Sequence, residues 1–166
     1  MPEQGVSFTD DQLTRIEACL EHLLTKGKGM AVLFASAEGQ PLGQVGRLSD
    51  KDRMALSTLA AGSFAATVAM AKLLGQAGAF EQLFFEGQEY SVCSSAVGDG
   101  FLLTIAFGGG AKPGLVRLLA QEATKEMLDI VREAQEQALE QSFEELIDAE
   151  FRESVSDELD AAFPEG

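Results

Sequence analysis

The sequence predicts an α/β fold in which a five-stranded antiparallel sheet carries helices on both faces, in the order α-β-β-α-β-β-β-α. Short apolar runs bounded by turn residues predict the strands, because such runs suit buried β-structure. Apolar residues at spacings of three and four predict a helix near each end and a longer one after the second strand. The 166 residues are enough for one domain with a full core.

The first helix has clear start signals. Thr9 is a good N-cap, and Gln12 occupies the capping-box position three residues later. Phe8 and Leu13 have the spacing of a hydrophobic staple. The run Lys-Gly-Lys-Gly at 26–29 predicts the end of this helix.

Five short runs predict the strands. Met30–Ala35 and Leu42–Val45 flank a Gly-Gln-Pro turn and predict a hairpin. The next three, separated by Gly-containing turns, predict a three-stranded meander: Phe80–Glu86, Glu89–Val97 and Phe101–Phe107.

The long central helix lies between the hairpin and the meander. Ser49 is a suitable N-cap with Asp52 in the reciprocal position, and Gly75 or Gly78 can end the helix. The uncharged run 54–71 has the length of a membrane span. Most of its residues are Ala, Gly, Ser or Thr, however, and charges flank it, so we expect no membrane insertion.

One face of the central helix is made of small side chains. These recur at spacings of three and four: Ala61, Gly62, Ala65, Ala66 and Ala69. Gly within a helix costs about 0.5–1 kcal/mol relative to Ala, so close approach of another backbone is the expected compensation. The alternative is that this face packs only on the protein's own sheet.

The last helix is predicted to start near Leu115, and the chain divides into a domain, 1–132, and an extension, 133–166. The extension holds 12 acidic residues and one basic residue, Arg152. It also carries large apolar residues with no sheet left to cover. It is either a prolonged terminal helix or an amphipathic or disordered segment that docks on a partner.

Composition limits the function classes. The net charge of −15 argues against nucleic acid, whose phosphates need Lys and Arg. The N-terminus is polar and acidic, unlike a signal peptide. Cys19 and Cys93 have no metal-binding or redox spacing and are expected to be reduced core residues. The sequence therefore predicts a cytoplasmic protein.

No pattern typical of covalent chemistry is present. The glycine-rich loop after the fifth strand departs from the phosphate-binding loop, because Pro113 follows Lys112 where Ser or Thr is needed. His22, the only histidine, has no recognisable catalytic partner. We therefore expect no cofactor, no metal and no catalytic site, and we interpret the chain as a binding module.

Several segments resemble the Roadblock/dynein-light-chain family. Residues 58–67 (TLAAGSFAAT) and 71–75 (AKLLG) resemble its second helix. Residues 84–87 (FFEG) and 114–118 (GLVRL) resemble the third strand and the start of the last helix in its bacterial MglB branch. The acidic ending 157–163 (DELDAAF) resembles the C-terminal tail of that branch.

The resemblance covers roughly residues 8–132, with the tail as a separate piece. Ser63 stands where the family pattern has Asn, and Gly108–Gly110 replaces an acidic loop. The resemblance implies a homodimer that pairs through the third strand, at Leu83, Phe84 and Phe85, and through the second helix.

The resemblance also implies a partner. MglB-type dimers bind a small Ras-like GTPase in its GTP-bound state and stimulate GTP hydrolysis without an arginine finger, in cell polarity and motility. The GTPase-facing residues implied here are Gly62, Ala65, Ala66, Ala69 and Lys72, with Ala65 and Ala69 at the centre. The tail would dock on the GTPase through Phe151, Leu159 and Phe163 and modulate nucleotide exchange or affinity. The alternative is a non-catalytic dimeric scaffold of the same fold.

Overall fold

The computed structural model describes residues 5–78 and 80–164. The elements follow the predicted order: α1 (Asp10–Lys26), β1 (Gly29–Ser36), β2 (Pro41–Gly46), α2 (Asp50–Leu73), β3 (Gln82–Phe85), β4 (Tyr90–Val97), β5 (Phe101–Gly108) and α3 (Pro113–Ala162).

The five strands form one antiparallel sheet in the order β2-β1-β5-β4-β3. Val32 in β1 lies opposite Val45 in β2 and Ile105 in β5. Cys93 in β4 lies opposite Ile105 on one side and Phe84 in β3 on the other. The predicted antiparallel sheet with helices on both faces is therefore confirmed.

The two faces of the sheet differ in the size of their side chains. Alternate residues of a strand point to opposite faces, so each strand contributes to both. The face covered by α1 and α3 carries the main core, which includes Val32, Phe34, Cys93, Val97, Phe101, Leu103, Ile105 and Phe107. The buried residues between them on β1, β4 and β5 are mostly smaller: Ala31, Leu33, Ala35, Ser94, Leu102, Thr104 and Ala106.

Helix α1 begins as predicted. The Thr9 side chain accepts from the Gln12 amide, and the Gln12 side chain accepts from the Thr9 amide, which completes the capping box. Phe8 packs its ring edge-on against Phe34 and Phe101, with centroid distances of 6.0 and 5.6 Å. Leu13, its expected partner, is 39% exposed, so Phe8 serves the main core rather than the helix entry alone.

Polar contacts tie α1 to α3 beyond the expected domain boundary. Arg15 donates to both carboxylate oxygens of Glu133 at 2.6 and 3.2 Å, and the hydrogen bond lowers the pKa of Glu133. The Gln12 side chain donates to Gln137 at 3.2 Å. Helix α3 runs without a break across residues 132 and 133, and its last buried residue is Ala134. The extension therefore continues a helix whose first part belongs to the core.

Helix α2 has both predicted caps. The Ser49 side chain accepts from the Asp52 amide at 3.1 Å. At the other end Gly75 has a φ of +68°, and its amide donates to the Lys72 carbonyl while the Gln76 amide donates to Ala71. By length and composition α2 could cross a membrane, but in the fold one of its faces packs on the sheet.

Strand β3 is shorter than the predicted 80–86. It is an edge strand of four residues that pairs with β4 along one side. Short edge strands limit unwanted pairing with other chains, although the free side of β3 still offers backbone donors and acceptors. Helix α3 begins at Pro113, two residues before the predicted Leu115, because Pro is well placed at a first helical position.

We predict that Gly46→Ala destabilises the fold. Gly46 has a φ of +104°, and an added Cβ would lie 2.7 Å from the Cα of Ala31 on the paired strand. Strain and backbone overlap together should lower the free energy of unfolding by about 2 kcal/mol or more. Urea unfolding of the unchanged protein and of the Gly46→Ala variant measures this difference in the free energy of unfolding. Gly100→Ala is the control, because a Cβ there meets no atom within 4 Å, and equal midpoints for both variants would contradict the prediction.

Candidate partner-binding surface on helix α2

The predicted partner-facing residues of α2 all lie on its exposed side. The five predicted residues are all exposed: Gly62, Ala65, Ala66, Ala69 and Lys72. The inner side packs on β1, β2 and β5 through Ser57, Ala60, Ala61, Phe64, Thr67 and Ala71. Ala61 was expected on the flat outer face and is instead 5% exposed, because it lies about 100° from Gly62 around the helix.

Large apolar side chains also lie on this exposed side. Leu59 is 67% exposed, Met70 49% and Leu73 88%. At about 100° per residue, Leu59, Gly62, Ala66, Ala69, Met70 and Leu73 share one face, which we call the outer face of α2. The spacing of small side chains in the sequence did not predict these large residues on the same face. An apolar ridge with a flat centre on an exposed helix is typical of a protein-binding surface.

Ala65 lies at the side of the outer face rather than at its centre. With Phe64 and Val68 it lines a groove of about 420 Å³ between α2 and the sheet, whose far wall includes Ala96 and Leu102. The groove therefore exposes apolar sheet surface that α2 does not cover. Ala66 and Ala69 stand further out, on the outer face.

Gly62 has no close neighbour inside the chain. A Cβ built on Gly62 meets no atom within 4 Å. The close approach that would compensate a glycine in mid-helix is therefore not made by the described part of this chain.

The three residues expected at the dimer interface divide between the two faces of the sheet. Phe84 packs within its own chain, with its ring centroid 5.7 Å from that of Phe107 and the Arg117 guanidinium 4.5 Å above it. Leu83 packs on the α2 side against the cluster of Ala61, Phe64 and Leu102. Phe85 is 50% exposed. Of the three, Phe85 is the residue with most surface left for another chain.

The extension leaves its apolar residues exposed. Beyond Ala134, α3 and its C-cap carry exposed large apolar side chains, mostly at intervals of three and four: Leu139, Phe143, Leu146, Ile147, Phe151, Val155, Leu159 and Phe163. The predicted docking residues Phe151, Leu159 and Phe163 belong to this row. Because each step of four residues turns a helix by about 40°, the row winds slowly around α3.

Groups that could support chemistry are few. Cys19 and Cys93 are buried free thiols, and burial raises the pKa of Cys19 to about 12 and that of Cys93 to about 11. Since the thiolate is the reactive form, both are inert near neutral pH. Within residues 5–78 and 80–164 no three His, Cys, Asp or Glu side chains are arranged to hold a metal ion.

This architecture and its sequence match a known protein family. The model of the Roadblock/LC7 domain matches residues 16–107, more than half of the chain. The chain therefore belongs to the Roadblock/LC7 family. No curated protein matches it significantly in a sequence comparison.

Among solved structures, the chain is similar to MglB proteins. Myxococcus xanthus MglB is 28% identical with a TM-score of 0.71, over 77% of this chain and 96% of that one. The gliding protein mglB of Thermus thermophilus is 28% identical with a TM-score of 0.72, over 79% and 98%. A structure titled MglB with tetrameric arrangement is 27% identical with a TM-score of 0.73, over 80% and 98%. Nearly the whole of each MglB structure is matched, whereas about a fifth of this chain lies outside the match.

We predict that Gly62→Ala raises the free energy of unfolding by about 0.5–1 kcal/mol, because Ala is the better helix former and its methyl meets open space. Denaturant unfolding at low and high protein concentration measures the change. A loss of stability would contradict the prediction and would mean that another copy packs tightly on Gly62.

Proposed function

We propose that this protein is a homodimeric regulator that binds a small Ras-like GTPase in its GTP-bound state and stimulates GTP hydrolysis, with no catalytic site of its own. The observation that carries the proposal is the outer face of α2: an exposed, uncharged ridge, flat at Gly62 and Ala66, that the described residues leave uncovered. The similarity to MglB structures supports the same choice of partner. The protein would act in the cytoplasm, in cell polarity or motility.

The dimer is supported by the widths of the elements. An α-helix with its side chains is about 10 Å wide, and five strands spaced about 4.8 Å apart span about 24 Å. Helices α1 and α3 together cover one face, whereas α2 alone covers the other. In a twofold pair joined at β3, the groove near Ala65 and the sheet surface that α2 does not cover would face the second copy.

The proposed mechanism is positioning rather than an added catalytic group. Phosphoryl transfer depends on the placement of water and charge around the phosphate. No arginine of α2 is free on the outer face, since Arg53 is its only arginine and pairs with Asp50 at 3.1 Å. Lys72 is exposed in the last turn of α2, on the same side as Ala65. A surface that binds the GTP-bound switch loops better than other states shifts their population by that difference in affinity.

We predict that Ala66→Arg with Ala69→Arg abolishes binding of an MglA-type GTPase. Two long cations on the outer face would prevent close approach, and the affinity should fall at least about 100-fold, equivalent to about 2.7 kcal/mol. Isothermal titration with the GTPase and a non-hydrolysable GTP analogue measures it.

The matched control places two arginines at the same spacing on exposed α3, as Leu118→Arg with Gln121→Arg. Circular dichroism and sedimentation should show a folded protein of unchanged assembly state in both. Normal binding of the GTPase by the folded α2 variant would show that the outer face is not the binding surface.

Single-turnover GTP hydrolysis distinguishes activation from scaffolding. Binding without faster hydrolysis would support the alternative, a non-catalytic scaffold.

We predict that Phe151→Ser with Leu159→Ser and Phe163→Ser weakens the GTPase complex or changes nucleotide exchange, without loss of fold. All three side chains are exposed, so their removal uncovers no core. Release of a fluorescent GDP analogue from the GTPase measures exchange. Unchanged release and affinity, beside a control carrying Glu140→Gln and Gln141→Ser, would exclude a role of the extension in GTPase binding.

A further inference from the structure

A second concave surface lies at one end of the sheet, away from the outer face of α2. It is a cleft of about 460 Å³ where β1 and β4 begin and β2 and β5 end. Leu24, Met30 and Tyr90 provide apolar and aromatic surface, and Lys28 and Arg47 stand beside them. We call this surface the basic cleft.

The strand ends themselves open the cleft. Gly29, Gly46 and Gly108 line it and contribute no side chains that could fill it. The backbone requires glycine at position 46, because its φ is +104° and a Cβ would overlap the neighbouring strand. The opening therefore follows from how the hairpin closes.

The charge around the basic cleft is opposite to that of the whole protein. Four bases lie within four residues of these strand ends, Lys26, Lys28, Arg47 and Lys112, against three acids, Asp50, Glu86 and Glu89. None of the four bases forms a salt bridge within the part of the chain that the structure describes. In a chain of net charge −15, this end attracts anions.

The far end of α3 has the complementary composition. Asp157, Glu158 and Asp160 alternate there with Leu159 and Phe163, all exposed. An acidic segment with interleaved apolar side chains suits a cleft with cations around an aromatic and apolar floor. Nothing in the described chain covers this end of α3.

The segment cannot reach the basic cleft of its own chain. Pro113 is five residues from Gly108, so α3 begins within about 18 Å of the cleft. At about 1.5 Å per residue, Asp160 is about 70 Å from the start of this continuous helix. The two complementary surfaces of one chain are thus held about 50 Å or more apart.

We propose that the basic cleft binds the acidic end of α3, residues 157–163, from a second copy of this chain. The carboxylates pair with Lys28 and Arg47, and Leu159 and Phe163 pack on Leu24, Met30 and Tyr90. The contact joins different surfaces of the two copies, so it adds to the twofold pairing proposed at β3 and builds assemblies larger than a dimer. It does not depend on a GTPase.

Cross-linking between two full-length variants tests the proposal. One chain carries Arg47→Cys and the other Asp160→Cys, and the two are mixed in a glutathione redox buffer. The native Cys19 and Cys93 are buried and stay outside the reaction. We expect the mixed disulfide to form at least about tenfold faster than in the control pair, in which Lys125→Cys, exposed on α3, replaces Arg47→Cys. Equal rates for the two pairs would overturn the proposal.

Charge reversal provides an independent measurement. Lys28→Glu with Arg47→Glu should weaken self-association beyond the dimer about tenfold in sedimentation at low salt. Adding Asp157→Lys, Glu158→Lys and Asp160→Lys to the same chain should restore it, which a merely structural defect would not allow. Two results would contradict pairing between these segments. One is association that Lys28→Glu with Arg47→Glu does not weaken, and the other is weakened association that the three lysine substitutions do not restore.

Discussion

The packing of a single helix of small residues on one face of a five-stranded sheet is the constraint on which the other features depend. On the opposite face, α1 and α3 bury large side chains such as Phe34 and Phe107 and complete a core without help. On the α2 face the sheet carries mostly small or polar residues, including the buried pair Ser94 and Thr104, whose hydroxyls are 3.0 Å apart. Small residues let α2 lie close to the sheet, but their side chains are too short to cover the sheet surface between α2 and the β3 edge.

Local signals in the sequence were sufficient to predict most of the architecture. The caps at Thr9 and Ser49 and the glycine at Gly75 act through hydrogen bonds within a few residues, so the sequence alone identifies them. The hairpin and the meander could be predicted, because turns too short for a crossover force antiparallel neighbours. The pairing of β1 with β5, which joins them into one sheet, is long-range and was not predicted. The exact ends of β3 could not be predicted, because an edge strand ends where its one neighbour stops pairing with it.

The candidate surface was predicted less completely, because helix spacing alone does not show which side of a helix faces the sheet. Ala61 and Gly62 are adjacent small residues, yet Ala61 packs on the core and Gly62 meets nothing. Leu59 and Leu73 are large apolar residues that remain exposed, because α2 packs on the sheet through its other side. The basic cleft could not be foreseen either, because its bases come from three separate connections between elements.

The length of α3 carries the acidic extension beyond the core, where other molecules can reach it. Nucleation is the unfavourable step in forming a helix, and the core-bound turns before Ala134 already provide it, so residues 135–162 can propagate as helix without a core of their own. This rigid continuation carries Leu159 and Phe163 away from the body that could have covered them. A GTPase and the basic cleft of a second copy would then compete for the same segment. By mass action, binding of either one would lower the share of extension available to the other, which would couple the size of the assembly to the presence of the GTPase.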